Sequence, residues 1–271
     1  MRGSGVKPPI VLVGAGRMGG AMLHGWVARG LGPVIAVEPK PDAGLSKLKG
    51  VRFVSAIEEI PEGRIRACVI ALKPQILRTE AARLRPVAAR DTMMVSIAAG
   101  TSIATLTKAL GRGAKILRAM PNTPGAIGQG ISAIYAPRNI SLGDRKFVLQ
   151  LLAPLGDTIW VAHEKLIDVT TAVSGSGPAY VFLMVETLAA AAEAEGMPRP
   201  EAEKLARATI TGAGALLAAD GRPPSELRRD VTSPGGTTEA ALKILMSSRS
   251  LFRLMARAVA AANKRAGELA A

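Results

Sequence analysis

Gly14, Gly16 and Gly19 form the spacing G-x-G-x-x-G, directly after the apolar run Pro9 to Val13 and directly before Met22, Leu23, Trp26 and Val27, which recur at a helical period. Strand, tight turn and helix in that order make an anion site. The first glycine permits the turn, the second lets a diphosphate approach the backbone, the third lets the helix pack closely, and N–H groups at the helix start receive the charge. Ala15, Arg17 and Met18 lie between these glycines and share the contact. A dinucleotide outweighs a purely structural glycine turn here because the motif heads an alternating strand and helix pattern. Glu38 ends the next strand-like run, where a carboxylate accepts bonds from ribose hydroxyls and favours NAD(H). Lys40 would instead meet a 2′-phosphate, so at this point the choice between NAD and NADP stays open.

Four more segments carry chemistry. Ala71-Leu72-Lys73-Pro74 and Ile97-Ala98-Ala99-Gly100 follow strand-like runs, and ligands of a parallel sheet lie outside the carboxyl ends of its strands. Small residues there let a cofactor approach backbone, and Lys73 adds a cation. Met120-Pro121-Asn122-Thr123-Pro124 is stiff, since its prolines fix their own φ and hold the residues before them extended. Asn122 is then either a polar handle for a nicotinamide or part of a structural loop. Thr232-Ser233-Pro234-Gly235-Gly236-Thr237-Thr238 leads straight into a helix, so Ser233, Gly235, Gly236 and the Thr237 and Thr238 hydroxyls make a nest for a carboxylate, beyond what an ordinary N-cap needs. His24 and His163 are not spaced as a metal pair, and Cys68 is an apolar strand residue, so no metal is expected.

The elements that must hold these residues fall into two groups. Strand-like runs at Val34 to Val37, Ala67 to Leu72, Met93 to Ile97, Lys115 to Ala119, Ile131 to Ala136 and Thr158 to Ala162 alternate with helical stretches near Gln75 to Ala89, Ser102 to Leu110 and Leu142 to Leu155. This is the pattern of a doubly wound parallel sheet, and it defines a first domain over 1–162. From His163 to Ala271 no strand-like run occurs, and Ala-rich helices are expected at 163–195, 200–219, 224–230, 238–247 and 249–269. Unbroken, the first of these would reach roughly 50 Å and need a partner subunit to cover it. Ser174-Gly175-Ser176-Gly177-Pro178-Ala179-Tyr180 interrupts it, a pattern that calls for close approach of another backbone or of a substrate.

With 271 residues, 48% apolar and 21% charged, the chain has room for two cored domains and is no disordered or fibrous sequence. Its longest apolar runs, such as Ala67 to Leu72 and Val181 to Val185, fall short of the roughly 20 residues that span a bilayer, so no membrane is expected. A single cysteine and a start, Met1 to Gly5, without an apolar core point to the cytoplasm. The net charge of +14 is concentrated in 1–162, which has 22 basic and 9 acidic residues. The basic residues are scattered and aromatics are only 3%, so an anionic cofactor explains the sign better than nucleic acid does.

Taken in order, Gly14 to Gly19, Leu72-Lys73-Pro74, Ser96 to Gly100, Arg118 to Pro124, Ser174 to Tyr180 and Val231 to Thr238 resemble the pyrroline-5-carboxylate reductase family over nearly the whole chain. The first motif is common to many dehydrogenases, whereas the last two together are specific. The resemblance implies an α/β protein, with an N-terminal Rossmann-type parallel-sheet domain followed by an all-α C-terminal substrate-binding and dimerisation domain. It implies reduction of the C=N bond of 1-pyrroline-5-carboxylate to L-proline by NAD(P)H, the final step of proline biosynthesis. It also implies a homodimer intertwined through the helical domain, often assembled into a ring of five dimers. By the same resemblance Ser233 to Thr238 hold the substrate carboxylate and ring nitrogen, with Thr238 the catalytic donor to that nitrogen, and Glu164 lies near the amine. A protonated cyclic imine is already an electrophile, so the missing catalytic base is no obstacle.

Two departures matter. Glu38 stands where many members carry a small or hydroxyl residue, which tilts the expected cofactor toward NADH. Glu239 and Ala240 replace a common Ala-Gly continuation, inside the helix, and are expected to leave the nest intact. A β-hydroxyacid dehydrogenase would need a catalytic lysine on the interdomain helix, where Lys165 stands only at the extreme start. A dinucleotide sensor or nucleic-acid binder would leave the Ser233 to Thr238 nest without a task.

Overall fold

A computed structural model describes residues 7–270 apart from Asn139 and Arg249. The segment Met1 to Gly5 and the first residue of the 249–269 stretch therefore lie outside the described residues. The β1 strand (Ile10–Val13), β2 (Val34–Val37), β3 (Val51–Val54), β4 (Ala67–Ile70), β5 (Met93–Ser96), β6 (Lys115–Met120), β7 (Gly130–Tyr135) and β8 (Gly156–Trp160) form one sheet in the order β3-β2-β1-β4-β5-β6-β7-β8. The four residues of β1, β2, β4 and β5 are buried throughout, as parallel strands covered on both faces must be.

The sheet is parallel except at one pairing: β7 runs antiparallel to β6, with Ala119 opposite Ile134, and β8 is again parallel to β7. The cause is length. A parallel crossover takes a dozen or more residues, usually a helix. Between Met120 and Gly130 the chain has only a 3₁₀ turn, Thr123–Ile127, so it returns beside β6 in the opposite sense. The short edge strand β3 was not expected at all. Its Val-Arg-Phe-Val run has only Val54 buried, so it lacks the continuous apolar signal of its neighbours.

Helices cover both faces. Against one lie α1 (Arg17–Ala28) and, later in the chain, α5 (Leu142–Leu152), around the fully buried Trp26, whose Nε1–H donates to the Leu151 carbonyl at 2.8 Å. Against the other lie α2 (Pro74–Glu80), α3 (Arg85–Ala88) and α4 (Ile103–Leu110), through Leu77, Leu84, Val87 and Leu106. The stretch expected as one helix over 75–89 is divided by a 3₁₀ turn, Ala81–Leu84, because Pro86 has no N–H to continue the ladder.

Beyond β8 the described residues form helices only: α6 (Leu166–Thr170), α7 (Gly177–Ala194), α8 (Arg199–Ala219), α9 (Pro224–Asp230), α10 (Thr237–Leu245) and α11 (Leu251–Ala270). Among the described residues there is no continuous helix of roughly 50 Å. A π-helical turn at Thr171–Gly175 and Pro178 in the first turn of α7 break it. The Thr170, Thr171 and Ser174 hydroxyls donate to the carbonyls of Leu166, Ile167 and Thr170, the back-bonding that bends helices. By packing, one compact unit runs to Gly175 and takes back the chain from Ala262, and the second is Ser176–Ala261. The change from mixed to helical structure thus falls near 162, whereas the change of compact unit falls later.

Candidate functional site

In the first unit, the glycine turn is built as close-packed backbone. Gly14 has φ +94°, and a Cβ on it would stand 3.0 Å from the Ala71 carbonyl oxygen. A Cβ on Gly19 would stand 2.2 Å from the Gly14 carbonyl oxygen, a distance no side chain can keep, so this glycine is what lets α1 begin so near β1. Around Gly16 there is open space: nothing lies within 4 Å of where its Cβ would be. Gly16 is also the N-cap of α1 and no side chain caps it, so Arg17 and Met18 open the helix with N–H groups turned to whatever anion approaches.

Glu38 follows β2. One carboxylate oxygen accepts from the Ala15 N–H at 2.9 Å and the other from the Lys40 N–H at 3.2 Å, so the acid expected at the ribose is fastened to the glycine turn itself. Both belong to the rim of a cavity of about 480 Å³, bounded also by Val13, Leu72, Ser55, Ile76, Glu80 and Arg83. Arg83 had not been singled out in the sequence. It is gripped by Glu58, at 2.8 Å and 2.5 Å, and by Glu80. The bond from Arg83 holds the Glu58 carboxyl below its usual range.

Lys73 is the extended residue that caps α2, with Pro74 opening the helix, and Ala71 bonds back to Val13 at 2.8 Å, so this segment runs beside the glycine turn. Ala98 is buried and its N–H points to Ser96 Oγ at 3.4 Å, with Ala99 and Gly100 next in the loop. Asn122 has its Oδ1 committed to the Ile131 N–H at 2.9 Å, where it holds the β6–β7 turn, so its side-chain amide nitrogen is what is left to donate elsewhere. Glu164 also belongs to this unit. Its Oε1 accepts from the Ile103 N–H at 2.7 Å and from Arg118 Nη1 at 3.0 Å, and that guanidinium is only 3% exposed. Arg118 was readable as the one charge inside an otherwise apolar strand end, Ile116 to Met120.

In the second unit, the segment before α10 folds as a nest. Gly235 has φ +71°, and a Cβ on Gly236 would stand 2.4 Å from Ser233 Oγ. The Gly236 N–H donates to the Ser233 carbonyl at 3.0 Å. The Gly235 N–H donates to Glu239 Oε2 at 2.8 Å. Glu239, which was expected to leave the nest intact, reaches back to bond it. The glutamate lies in the first turn of α10, near the N–H groups that precede the helix, which is the place for an acid to bond back. With both glycine N–H groups engaged and no side-chain cap on α10, the open donors of the nest are the first-turn N–H groups at Thr237 and Thr238, together with their hydroxyls. Among the described residues no group of three or more His, Cys, Asp and Glu side chains is placed to hold a metal ion.

The family model for pyrroline-5-carboxylate reductase dimerisation matches residues 164–269. A pyrroline-5-carboxylate reductase of Pseudomonas aeruginosa is 37% identical over 267 residues, covering 97% of each chain. One from Escherichia coli K12 is 35% identical over 246 residues, 89% of this chain and 90% of that one. Among solved structures, a pyrroline-5-carboxylate reductase from Coxiella burnetii superposes with a TM-score of 0.89 at 31% identity, over 98% of this chain and all of that one. The Plasmodium falciparum pyrroline carboxylate reductase with NADP bound superposes with a TM-score of 0.80 at 28% identity, over 98% of this chain and 99% of that one.

Proposed function

The chain belongs to the pyrroline-5-carboxylate reductase family, and we propose from that premise how its own residues serve the NAD(P)H-dependent reduction of 1-pyrroline-5-carboxylate to L-proline. The observation that carries the reading is the glycine turn: backbone packed too tightly for any Cβ at Gly19, open space at Gly16, and an uncapped helix start facing it. Those features fit the diphosphate of a dinucleotide. When bound, NAD(P)H supplies the hydride that goes to the imine carbon, and the ring nitrogen ends as the amine.

In this reading 1–162 is the dinucleotide-binding domain and 163–271 the helical domain for substrate and dimerisation. Gly14 to Met18 hold the diphosphate. Glu38 meets the adenosine ribose and tilts the preference to NADH. Ala71 to Pro74, with Ala98, Ala99 and Asn122, line the path toward the nicotinamide. In the second unit the Thr237 and Thr238 N–H groups take the substrate carboxylate, Ser233, Gly235 and Gly236 shape the nest, and the Thr238 hydroxyl donates to the ring nitrogen. Glu164, held by Ile103 and Arg118, keeps a second carboxylate oxygen for the amine. The chain forms oligomers, for which we propose a homodimer that can close into a ring of five. We place it in the cytoplasm, where its one thiol, on buried Cys68, stays reduced; burial pushes that thiol up to about 12.

The test is the initial rate of NADH and of NADPH oxidation by purified protein, with and without 1-pyrroline-5-carboxylate. Oxidation that depends on the imine, faster with NADH, is the expected result. No oxidation by a folded, oligomeric sample would reduce the reading to the fold alone.

A further inference from the structure

The cavity beside the glycine turn carries more charge than a ribose needs. Glu38, Lys40, Glu80 and Arg83 all stand on its rim, and Ser55 lines it too. Two cations at the adenosine end would ordinarily attract a phosphate. Arg83, however, is not free to do so. Glu58 takes its Nε–H at 2.8 Å and its Nη2–H at 2.5 Å in a bidentate fork, and Glu80 takes its Nη1–H. A guanidinium has five N–H donors in a fixed plane, and three of these are already on carboxylates. Counting the charged groups on the rim together with Glu58, which is bonded to Arg83, three carboxylates stand against two cations.

We propose that Glu58 and Glu80 are specificity-determining residues: by clamping Arg83 they withhold one of the two rim cations from a 2′-phosphate, and with Glu38 they select the unphosphorylated dinucleotide. The proposal rests on the reading that this cavity takes the adenosine end. It differs from a plain surface ion-pair network in one respect. A network contributes to folding alone, whereas a clamp on Arg83 discriminates between two ligands that differ by one phosphate.

Calorimetric titration of the full chain with NAD⁺ and with NADP⁺ separates the two. In the E58Q/E80Q double variant NADP⁺ binds roughly five- to tenfold more tightly while NAD⁺ stays within about twofold, as expected for one cation released a few ångströms from a doubly charged group in partial solvent. Adding R83A removes the gain, and raising the salt to about 0.5 M shrinks it. An unchanged NADP⁺ constant, a parallel change for both dinucleotides, or a gain that survives R83A would each overturn the clamp. Should the double variant not fold, E58Q alone, at the more exposed carboxylate, carries the same test at a smaller shift. E38S is titrated alongside. If it leaves both constants unaltered while E58Q/E80Q tightens NADP⁺, the ribose role of Glu38 fails and the clamp stands; if neither variant moves the ratio, both fail.

Discussion

In the proposed reading Thr238 carries the hydrogen bond to the ring nitrogen. The glycines before it cannot take the role, since the Gly235 and Gly236 N–H groups already donate to Glu239 and to the Ser233 carbonyl. Thr238→Ala removes one hydroxyl and leaves the backbone donors in place. We expect kcat/KM for the imine to fall by roughly ten- to a hundredfold, the loss of one hydrogen bond to the ring nitrogen as it turns from iminium to amine, with NADH affinity within about twofold of the parent. Steady-state kinetics beside a cofactor titration check this, and unchanged turnover would remove Thr238 from the reaction. Gly19 makes the matching test in the other unit. A Cβ there meets the Gly14 carbonyl oxygen at 2.2 Å, so Gly19→Ala must push α1 away from the turn. Weaker NADH binding, by about tenfold or more, together with a lower melting temperature is the expected outcome. An alanine variant that binds and melts as the parent does would show that α1 is not held by this contact. These glycines were legible because their reason is local and their spacing is fixed. The pairing of Glu164 with Arg118 was not, since 46 residues separate partners that only the folded sheet brings to 3.0 Å.

At the scale of elements, a short polar device fixes the start of α5, whose apolar side is already packed on the sheet. Ser141 caps the helix by accepting from the Asp144 N–H at 3.0 Å, and donates its own hydroxyl to Asp144 Oδ2 at 2.9 Å. The other carboxylate oxygen takes Arg66, just before β4, at 2.6 Å. Burial pushes the Asp144 carboxyl upward, but the bonds from Arg66 and Ser141 outweigh it and hold the group below its ordinary range. A carboxyl depressed in the folded state stabilises the fold above its unfolded pKa, about 3.9, and that contribution is lost as pH falls through the lower folded value. Asp144→Asn should therefore cost about 1–3 kcal/mol at neutral pH. The gap from the parent should narrow below about pH 4. Melting curves across pH read this directly, and a gap that stayed constant into acid would mean the ionised carboxylate is not what matters. The capping pair is visible in the sequence as Ser-x-x-Asp, whereas its tie to Arg66 is not. The same division runs through the sheet: strands buried on both faces announce themselves by unbroken apolar runs, while β3, an edge strand holding Arg52, and the reversal at β7, decided by the length of a turn, do not.

For the molecule as a whole, the decisive helix is α7. Val181, Phe182, Leu183 and Met184 are 44%, 63%, 57% and 38% exposed within the single chain, although they are consecutive. Four consecutive residues at about 100° each sweep some 300° of a helix surface, so no one face of the same chain can cover them. A helix apolar nearly all round belongs in an interior. The residues of the second unit that are buried within the chain, Ala189, Ala202 and Ala206, are small, which makes the deficit plain. The homodimer proposed above would supply the missing cover, with a second copy wrapped about α7 rather than laid against one side of it. With so little of it buried within the chain, the isolated second unit would be a poor folding unit by itself. Phe182→Asp, the most exposed of the four, would place a charge in that shared interior and leave it unpaired. Sedimentation equilibrium should find the parent at no less than twice its 28.0 kDa chain mass and the variant shifted toward the single chain, with far-UV helicity reduced as α7 loses its cover. A variant that kept the parent's mass and melting temperature would put Phe182 on an outer face and require the partner to approach the helical unit from elsewhere.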